Sequence, residues 1–267
     1  MNILVLLAGV ADVRYPLHDI SIDAAGLIEE SGQSRRQLGP FDEGALELAL
    51  KLRDAREDCR IEVLVLGGSN NDNLLRSVAA FKPDRLRLLD LQPCRPWDAR
   101  LSAAQIAGLL QTEGTPDLLL IGREFGDLDE GSLPVLLAVR LGLPLFALAQ
   151  YAEWQDGRVR LLRERGIRQQ WHSVAGPLLA TVTNDRRNKL RHPLMKNVML
   201  AKKMTFDSVT ASAAETSDVR LAELAPAREV QRGGECGGQC RLLDGDVPSQ
   251  ARALAGYLRG EAEENAA

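Results

Sequence analysis

Three carboxylates stand close together near the middle of the chain: Asp127, Asp129 and Glu130. Closely spaced carboxylates can act as a general acid and base or can bind a divalent cation. A hydrolase or transferase built on them needs a convergent nucleophile or base, and the sequence offers none, because its histidines are far apart. An acidic loop before a helix is the simpler interpretation, since the dipole at a helix N-terminus favours negative charge.

Cys236 and Cys240 form the second group that could do chemistry, a Cys-x-x-x-Cys pair with glycines between the thiols. Two thiols can bind a metal or form a redox-active disulfide, but no other Cys or His nearby has the spacing of a zinc site. We interpret them as free thiols, interpret Cys59 and Cys94 as inert, and predict no metal site. Four cysteines in 267 residues do not make a disulfide scaffold.

The bulk composition sets the class of protein. Hydrophobic residues make up 45% and charged residues 26%, which is ordinary for a soluble globular protein. A net charge of −4 argues against a nucleic-acid binder, whose affinity depends on neutralising phosphates. No apolar run approaches the roughly 20 residues of a membrane span, so no direct membrane insertion is expected. The apolar run 3–10 is too short for a signal peptide, and a cytoplasmic location is expected.

Apolar runs that end near glycine alternate with segments of helical spacing. This alternation predicts an α/β fold, with a mostly parallel, Rossmann-like sheet and helices on both faces. Ligands of such a sheet bind beyond the carboxyl ends of its strands. The predicted strands are 2–9, 61–66, 85–89, 118–121 and 178–182, and the predicted helices are 41–55, 71–81, 99–111 and 133–140.

The composition changes after about residue 206. We predict an α/β domain over 1–205, an extended arm over 206–246, a C-terminal helix over 247–261 and a disordered tail over 262–267. Pro248 suits the first turn of that helix. Its apolar face, which includes Leu254 and Leu258, cannot be buried by the helix alone. The arm therefore folds back or binds a partner.

Several segments resemble the electron-transfer flavoprotein beta subunit, a family with an adenine-nucleotide alpha-hydrolase-like fold. They occur in the order and close to the spacing of that family, and the likeness covers most of residues 2–205. The matching segments are Gly39-Pro40-Phe41-Asp42-Glu43 through Ala49, Leu74-Leu75-Arg76 through Pro83-Asp84-Arg85, Thr183-Asn184-Asp185-Arg186-Arg187-Asn188, and Asn197-Val198-Met199-Leu200-Ala201-Lys202-Lys203.

The resemblance implies an electron carrier rather than an enzyme with its own bond chemistry. Such a subunit forms a heterodimer with an alpha subunit that holds most of one FAD, and it passes electrons from a dehydrogenase to a quinone-linked acceptor. It also implies that Phe41 approaches the flavin, with Tyr15 as a second possible neighbour.

The resemblance further implies a partner-recognition loop over 191–199, carried by Leu194, Met195, Lys196, Asn197 and Met199. The family usually has leucine at the position of Met195 and proline at that of Lys196, which indicates a different redox partner. Without the resemblance, the same residues suit a surface loop that folds its apolar side chains onto its own domain.

The loop that holds a nucleotide in the family is altered here. The family has Asn-Gln-Thr-Gly at the start of a helix, whose free N–H groups bind phosphate. The corresponding residues are Gly131-Ser132-Leu133-Pro134, and proline has no N–H to donate. We interpret Ser132 as the helix N-cap and predict a degenerate loop that holds neither AMP nor a second FAD. Its residues are Gly122, Asp127, Asp129, Gly131 and Ser132. A nucleotide-binding regulatory module on the same fold remains an alternative, but it requires an intact loop.

Overall fold

The computed structural model describes residues 1–15, 20–22, 28–30, 35–67, 72–213, 219 and 243–259. In chain order its strands are β1 (Asn2–Leu7), β2 (Val10–Ala11), β3 (Ile20–Ile22), β4 (Ile28–Glu30), β5 (Arg36–Gln37), β6 (Arg60–Leu66), β7 (Arg85–Gln92), β8 (Leu118–Gly122), β9 (Leu145–Ala149), β10 (Tyr151–Gln155), β11 (Arg158–Arg165), β12 (Arg168–Ser173), β13 (Leu178–Val182) and β14 (Asp207–Ser212). The α-helices are α1 (Pro40–Asp54), α2 (Asp72–Ala79), α3 (Ala99–Glu113), α4 (Ser132–Leu141), α5 (Met195–Ala201) and α6 (Val247–Leu258).

The central sheet has seven strands in the order β14-β7-β6-β1-β8-β13-β9. Every neighbouring pair in it is parallel. The predicted α/β class and parallel sheet are therefore confirmed. Since parallel strands share one direction, the ends of β1 and β8 and the start of α1 come together at the carboxyl edge of the sheet.

The two faces of the sheet carry separate hydrophobic clusters, because successive side chains of a strand point to opposite faces. On one face Ile3, Val5 and Leu7 of β1 pack in a cluster with α1 and α2. On the other face Leu4 and Leu6 pack in a cluster with α3 and α4. Both faces are covered by helices, which explains why the strands are almost continuously apolar.

Strands β10, β11 and β12 form an antiparallel sheet that the sequence analysis missed. In Arg158–Arg165 polar and apolar residues alternate only as far as Leu161, and Leu162 and three charged residues follow, so no clean period of a strand is visible. Leu161 and Val159 nevertheless join the core cluster of α1. The indole N–H of Trp154 donates to the Leu52 carbonyl at 2.9 Å, which ties this sheet to α1.

Strand β14 pairs with the whole of β7, from Asp207 opposite Arg87 to Ser212 opposite Gln92. The sheet thus continues past residue 205, where the sequence predicts the α/β domain to end. Most of the predicted arm, including Cys236 and Cys240, lies outside the described residues, as does the predicted tail 262–267.

Helix α6 belongs to a second unit, over residues 225–267. Asp246 caps it by accepting a hydrogen bond from the Ser249 N–H at 3.0 Å, and Pro248 lies in its first turn as predicted. Leu254 and Leu258 on its predicted apolar face are exposed. No helix in the described part of the chain is long and apolar enough to cross a membrane.

Candidate functional site

Phe41 stands in the first turn of α1, at the carboxyl edge of the sheet. Pro40 opens the helix and Gly39 is its N-cap. The end of β8 packs directly against Phe41: a Cβ added to Gly122 would lie 2.9 Å from the Phe41 Cβ and 2.8 Å from the Glu124 carbonyl oxygen. Glycine is required at position 122 because any side chain would push β8 away from Phe41.

A cation lies over the Phe41 ring. The Arg123 guanidinium carbon is 4.9 Å from the ring centroid, within the range of a cation–π contact. Glu124 accepts from Arg123 Nε at 2.9 Å, which fixes the orientation of the guanidinium. Phe41 is half-buried, and the side chain of Arg123 is 47% exposed. The edge thus presents an aromatic ring beside an Arg123–Glu124 ion pair.

Tyr15 follows β2, where the chain leaves this edge. Its side chain is 42% exposed, and the Arg35 guanidinium carbon lies 4.2 Å from its ring centroid. Phe41 and Tyr15 therefore each lie beside an arginine, although they come from different elements. That Tyr15 would lie beside a flavin stays a prediction.

Asp42 is a buried carboxylate at the centre of the edge. It accepts hydrogen bonds from the Gly9 N–H at 2.9 Å and from the Gly39 N–H at 3.1 Å. Burial raises the pKa of this carboxyl from 3.8 to about 6, against the opposing effect of those backbone hydrogen bonds. Asp42 connects the turn after β1 to the start of α1, and so it fixes the position of Phe41. Nothing in the sequence shows that Gly9 lies next to Asp42, so this role of the carboxylate could not be predicted.

Asp129 occupies the N-terminus of α4. Its Oδ1 accepts from the Ser132 N–H at 2.9 Å and from the Leu133 N–H at 3.1 Å, and its Oδ2 accepts from the Phe125 N–H at 3.1 Å. The residue is 7% exposed. The N–H groups that could bind a phosphate are therefore already bonded to a carboxylate of the same chain.

The predicted N-cap is wrong by one residue. Gly131 is the N-cap of α4, with φ at 95°, and Ser132 is the first residue of the helix. The left-handed conformation at Gly131 lets the chain turn back so that Asp129 reaches the helix end, and glycine adopts it without steric cost. Ser132 is exposed and supplies its backbone N–H rather than its hydroxyl.

Asp127, in the same loop, binds groups of two other segments of the chain. It accepts from the Ala11 N–H at 3.2 Å and forms an ion pair with Arg36 at 3.2 Å. Asp127 and Asp129 thus bind different groups, and each accepts hydrogen bonds that hold a loop in place. This arrangement fits the structural role expected of an acidic loop better than an acid–base pair.

The predicted recognition loop is in fact largely helical. Leu194 is the N-cap of α5, which runs from Met195 to Ala201 and contains Lys196, Asn197 and Met199. Proline at position 193 precedes the cap and keeps the preceding residue out of the helical conformation. Exposure is high along one surface, with Leu194 71%, Met195 74%, Met199 54%, Leu200 49% and Met204 46% exposed. We call these five residues the docking surface, after the partner recognition that the resemblance implies for residues 191–199.

The opposite side of α5 holds it to the domain. Ala201 is buried and packs with Ala79 and Ala80, and Val198 joins the same cluster. Arg76 of α2 donates to the carbonyls of Ala201 at 2.9 Å and Met204 at 3.3 Å, and also to that of Lys202. These carbonyls belong to the last residue of α5 and to the turn that follows it, where a cation is favoured by the helix dipole. Asp72 holds Arg76 in turn, at 2.7 Å.

Arg191 fixes the chain before α5. Its guanidinium binds Glu47, which is 3% exposed, with Nη2 to Oε1 at 2.9 Å, and it also binds Asp54. These two carboxylates raise the pKa of Arg191 above its usual range. Arg191 is therefore part of the attachment to α1.

Comparison with known proteins gives this geometry its context. The model of the electron transfer flavoprotein domain family matches residues 27–214, a span that contains Phe41, the 122–132 loop and α5. The chain is 27% identical to the electron transfer flavoprotein subunit beta of Megasphaera elsdenii over 188 residues, covering 68% of this chain and 69% of that protein. It is 27% identical to the mitochondrial subunit beta of Oryza sativa subsp. indica over 262 residues, covering 95% of this chain and 100% of that protein.

The chain belongs to the electron transfer flavoprotein family, with its beta subunits. A further similar protein is subunit CarD of the caffeyl-CoA reductase–Etf complex from Acetobacterium woodii, 26% identical over 127 residues and covering 48% of each chain. Within this beta-subunit fold the carboxyl edge and the docking surface are built differently. The polar groups of the edge are bonded within the chain, whereas the apolar groups of the docking surface face solvent.

Proposed function

We propose that this beta subunit pairs with an alpha subunit that holds most of one FAD, and that it carries electrons from a dehydrogenase to a quinone-linked acceptor. The observation that carries the proposal is the docking surface. In this chain, which belongs to the family, five large apolar side chains are exposed on and next to α5, and the buried side of that helix is anchored to the domain. A group of large exposed apolar side chains is typical of a protein-binding site. The cytoplasmic location stays a prediction.

The carboxyl edge fits a role beside the flavin of the partner. The half-buried Phe41 ring can cover one side of an isoalloxazine and exclude water from it, and Arg123 brings a positive charge next to that ring. The flavin supplies the redox chemistry when bound, and the protein supplies orientation and electrostatics. A guanidinium near the flavin favours its negatively charged reduced forms, and the Glu124 carboxylate that is paired with Arg123 reduces this effect.

We propose that this subunit binds no AMP and no second FAD. The support is Asp129, whose carboxylate accepts from three backbone N–H groups at and near the N-terminus of α4. A phosphate would have to displace that carboxylate and approach its negative charge. Pro134, which is buried in the same turn, offers no N–H as a replacement.

The same geometry weighs against the other candidate functions. A nucleotide-binding regulatory module needs the α4 N–H groups free, and Asp129 engages them. A hydrolase based on the acidic loop needs carboxylates that can reach a substrate, and both Asp127 and Asp129 are used as hydrogen-bond acceptors within the fold.

The proposal is tested by expressing the chain together with its genomic neighbour and purifying the product. We expect an equimolar yellow heterodimer whose flavin is reduced by a dehydrogenase. Replacing Phe41 with alanine should shift the flavin spectrum and potential. Phe81→Ala, at the end of α2 and away from the carboxyl edge, is the matched control. A colourless monomer that hydrolyses a nucleotide would contradict the proposal.

Nucleotide content is tested separately by equilibrium dialysis of the purified heterodimer against AMP. We expect no binding to the beta subunit. Stoichiometric AMP that is lost when Ser132 is replaced by proline, which removes an α4 N–H, would show that the loop is functional after all.

A further inference from the structure

The docking surface contains three of the four methionines of the protein. Met195, Met199 and Met204 are 74%, 54% and 46% exposed. The fourth, Met1, is partly buried against the main core. Methionine is a hydrophobic residue that cores normally bury, so three exposed side chains within ten residues need an explanation.

The three methionines lie close together in the chain, two of them on α5 and the third just after it. Met195 and Met199 are four residues apart on α5, and side chains at that spacing lie on the same face of a helix. Met204 lies three residues beyond the end of α5, in a turn where its N–H donates to the Ala201 carbonyl at 3.2 Å and its carbonyl accepts from Arg76 at 3.3 Å. Leu194 and Leu200 complete the apolar surface, and they cannot be oxidised in this way.

We propose that Met195, Met199 and Met204 form a peroxide-sensitive site whose oxidation weakens docking of the dehydrogenase. This inference rests on the proposed function, because it assigns a modification to the same surface. The oxidant is a hydroperoxide. A thioether sulfur attacks the distal peroxide oxygen, the O–O bond breaks, a sulfur–oxygen bond forms, and the products are methionine sulfoxide and water or an alcohol. The sulfur gives up two electrons and the peroxide is reduced.

Oxidation would change the surface from apolar to polar. A sulfoxide has a strong hydrogen-bond acceptor where the thioether had a flexible apolar group. A partner pocket that fits a thioether leaves the sulfoxide oxygen without a hydrogen bond, and burying an unsatisfied polar group is unfavourable. Each sulfoxide should therefore weaken docking, by about tenfold if it lies at the centre of the contact. Among the described residues, the carboxyl edge contains no methionine, so oxidation should leave the environment of the flavin unchanged.

The experiment treats the purified heterodimer with hydrogen peroxide and locates sulfoxides by peptide mass spectrometry. We expect Met195 to be oxidised first, Met199 and Met204 next, and Met1 last. The flavin-dependent dehydrogenase that reduces the untreated complex fastest, chosen from a purified panel, then serves as the probe. Its concentration for half-maximal reduction should rise about tenfold after oxidation, while reduction by dithionite is unchanged. Methionine sulfoxide reductases should restore the original value.

A variant with leucine at 195, 199 and 204 is the matched control, since it keeps the apolar surface and lacks the oxidisable sulfur. Whatever concentration of the probe dehydrogenase gives half-maximal reduction of this variant before treatment, peroxide should leave that concentration unchanged. Oxidation of Met1 before the other three, or full docking activity with all three oxidised, overturns the inference.

Failure of the proposed function gives a different result. In that case Met195→Asp in the unoxidised complex leaves reduction by the dehydrogenase unchanged, or no dehydrogenase reduces the complex at all. If Met195→Asp does impair reduction while the sulfoxides do not, docking at this surface stands, and the inference that oxidation weakens docking is wrong.

Discussion

The carboxyl edge around Asp42 and Asp129 and the docking surface around α5 treat their surface groups in opposite ways. At the edge, buried carboxylates accept hydrogen bonds from the backbone N–H groups of Gly9, Gly39, Ser132 and Leu133. At the docking surface, the attachment lies underneath, through Arg76 and Ala201, and the apolar side chains remain exposed. The edge, whose polar groups are hydrogen-bonded within the chain, holds the fold in place. The docking surface, whose apolar side chains are exposed to solvent, is suited to bind another protein.

The largest effect should come from removing the carboxylate that closes the edge. Asp129→Ala leaves the N–H groups of Phe125, Ser132 and Leu133 without their acceptor, which should lower the free energy of unfolding by about 4 kcal/mol. Chemical denaturation measures it, with the exposed Glu130→Ala as control, where a change within about 0.5 kcal/mol is expected. Inorganic phosphate should stabilise the Asp129→Ala variant and not the parent. A variant as stable as the parent would show that the hydrogen bonds to Asp129 do not stabilise the edge.

The next effect is a pH dependence that originates at Asp42. Its pKa is about 6 in the folded protein against 3.8 for a free side chain. The folded state therefore binds the proton more tightly, so the contribution of Asp42 to stability falls as pH rises from about 4 to about 6, and it is constant above that window. The stability of the parent relative to Asp42→Asn should fall by about 3 kcal/mol across the window.

The exposed Asp58 provides a control of opposite sign. Arg56 lowers the pKa of Asp58, so its contribution is present at neutral pH and is lost as pH falls. Urea unfolding at a series of pH values compares Asp42→Asn and Asp58→Asn with the parent. Equal slopes for the parent and Asp42→Asn would mean that the Asp42 carboxyl titrates normally.

A charge placed on the docking surface should interrupt electron transfer. Met195→Asp should slow reduction by a dehydrogenase at low concentration about 30-fold, because a buried unpaired charge opposes the contact. Ile167→Asp is the matched control, since Ile167 is fully exposed at the tip between β11 and β12, away from α5. Stopped-flow flavin reduction measures both. A comparable loss in the two variants would mean that the contact is not confined to α5.

A smaller effect should follow from loosening the attachment beneath that surface. Arg76→Gln removes the cation at the end of α5 and should raise the dehydrogenase concentration for half-maximal reduction about fivefold, with the maximal rate unchanged. Arg56→Gln, which breaks an exposed ion pair elsewhere, should leave that concentration unchanged. If Arg76→Gln lowers the maximal rate instead, Arg76 acts on the flavin environment rather than on the docking helix.

The smallest effect concerns the choice of partner. Replacing Met195 with leucine and Lys196 with proline restores the residues usual in the family and should shift preference among dehydrogenases several-fold, as expected for changes of shape and one charge. Proline suits this position because Lys196 lies in the first turn of α5, where its N–H is not needed within the helix. Flavin content should be unchanged, and loss of flavin would show that the segment is structural.

Much of the fold could be predicted from local sequence. Strands β1, β6, β8 and β13 are largely apolar runs, and α1 begins at a Pro-Phe-Asp-Glu segment, so their types were predicted correctly and their bounds closely. The sheet β10–β12 was missed because two adjacent leucines, Leu161 and Leu162, interrupt the alternation of β11, and because β12 is exposed and polar along most of its length. Helix α5 was taken for a loop because it has seven residues and no polar cap.

The sequence by itself determined the parallel α/β sheet, the family resemblance and the exceptional residues at 131–134 and 195–196, because these depend on residue type and order along the chain. Tertiary structure alone decided what the charged groups do. Asp42 lies 33 residues from Gly9, and Arg191 lies 144 residues from Glu47, yet each pair is hydrogen-bonded. Whether a carboxylate is a free acid, a loop support or half of an ion pair depends on such distant neighbours and on burial, and neither can be read from spacing along the chain.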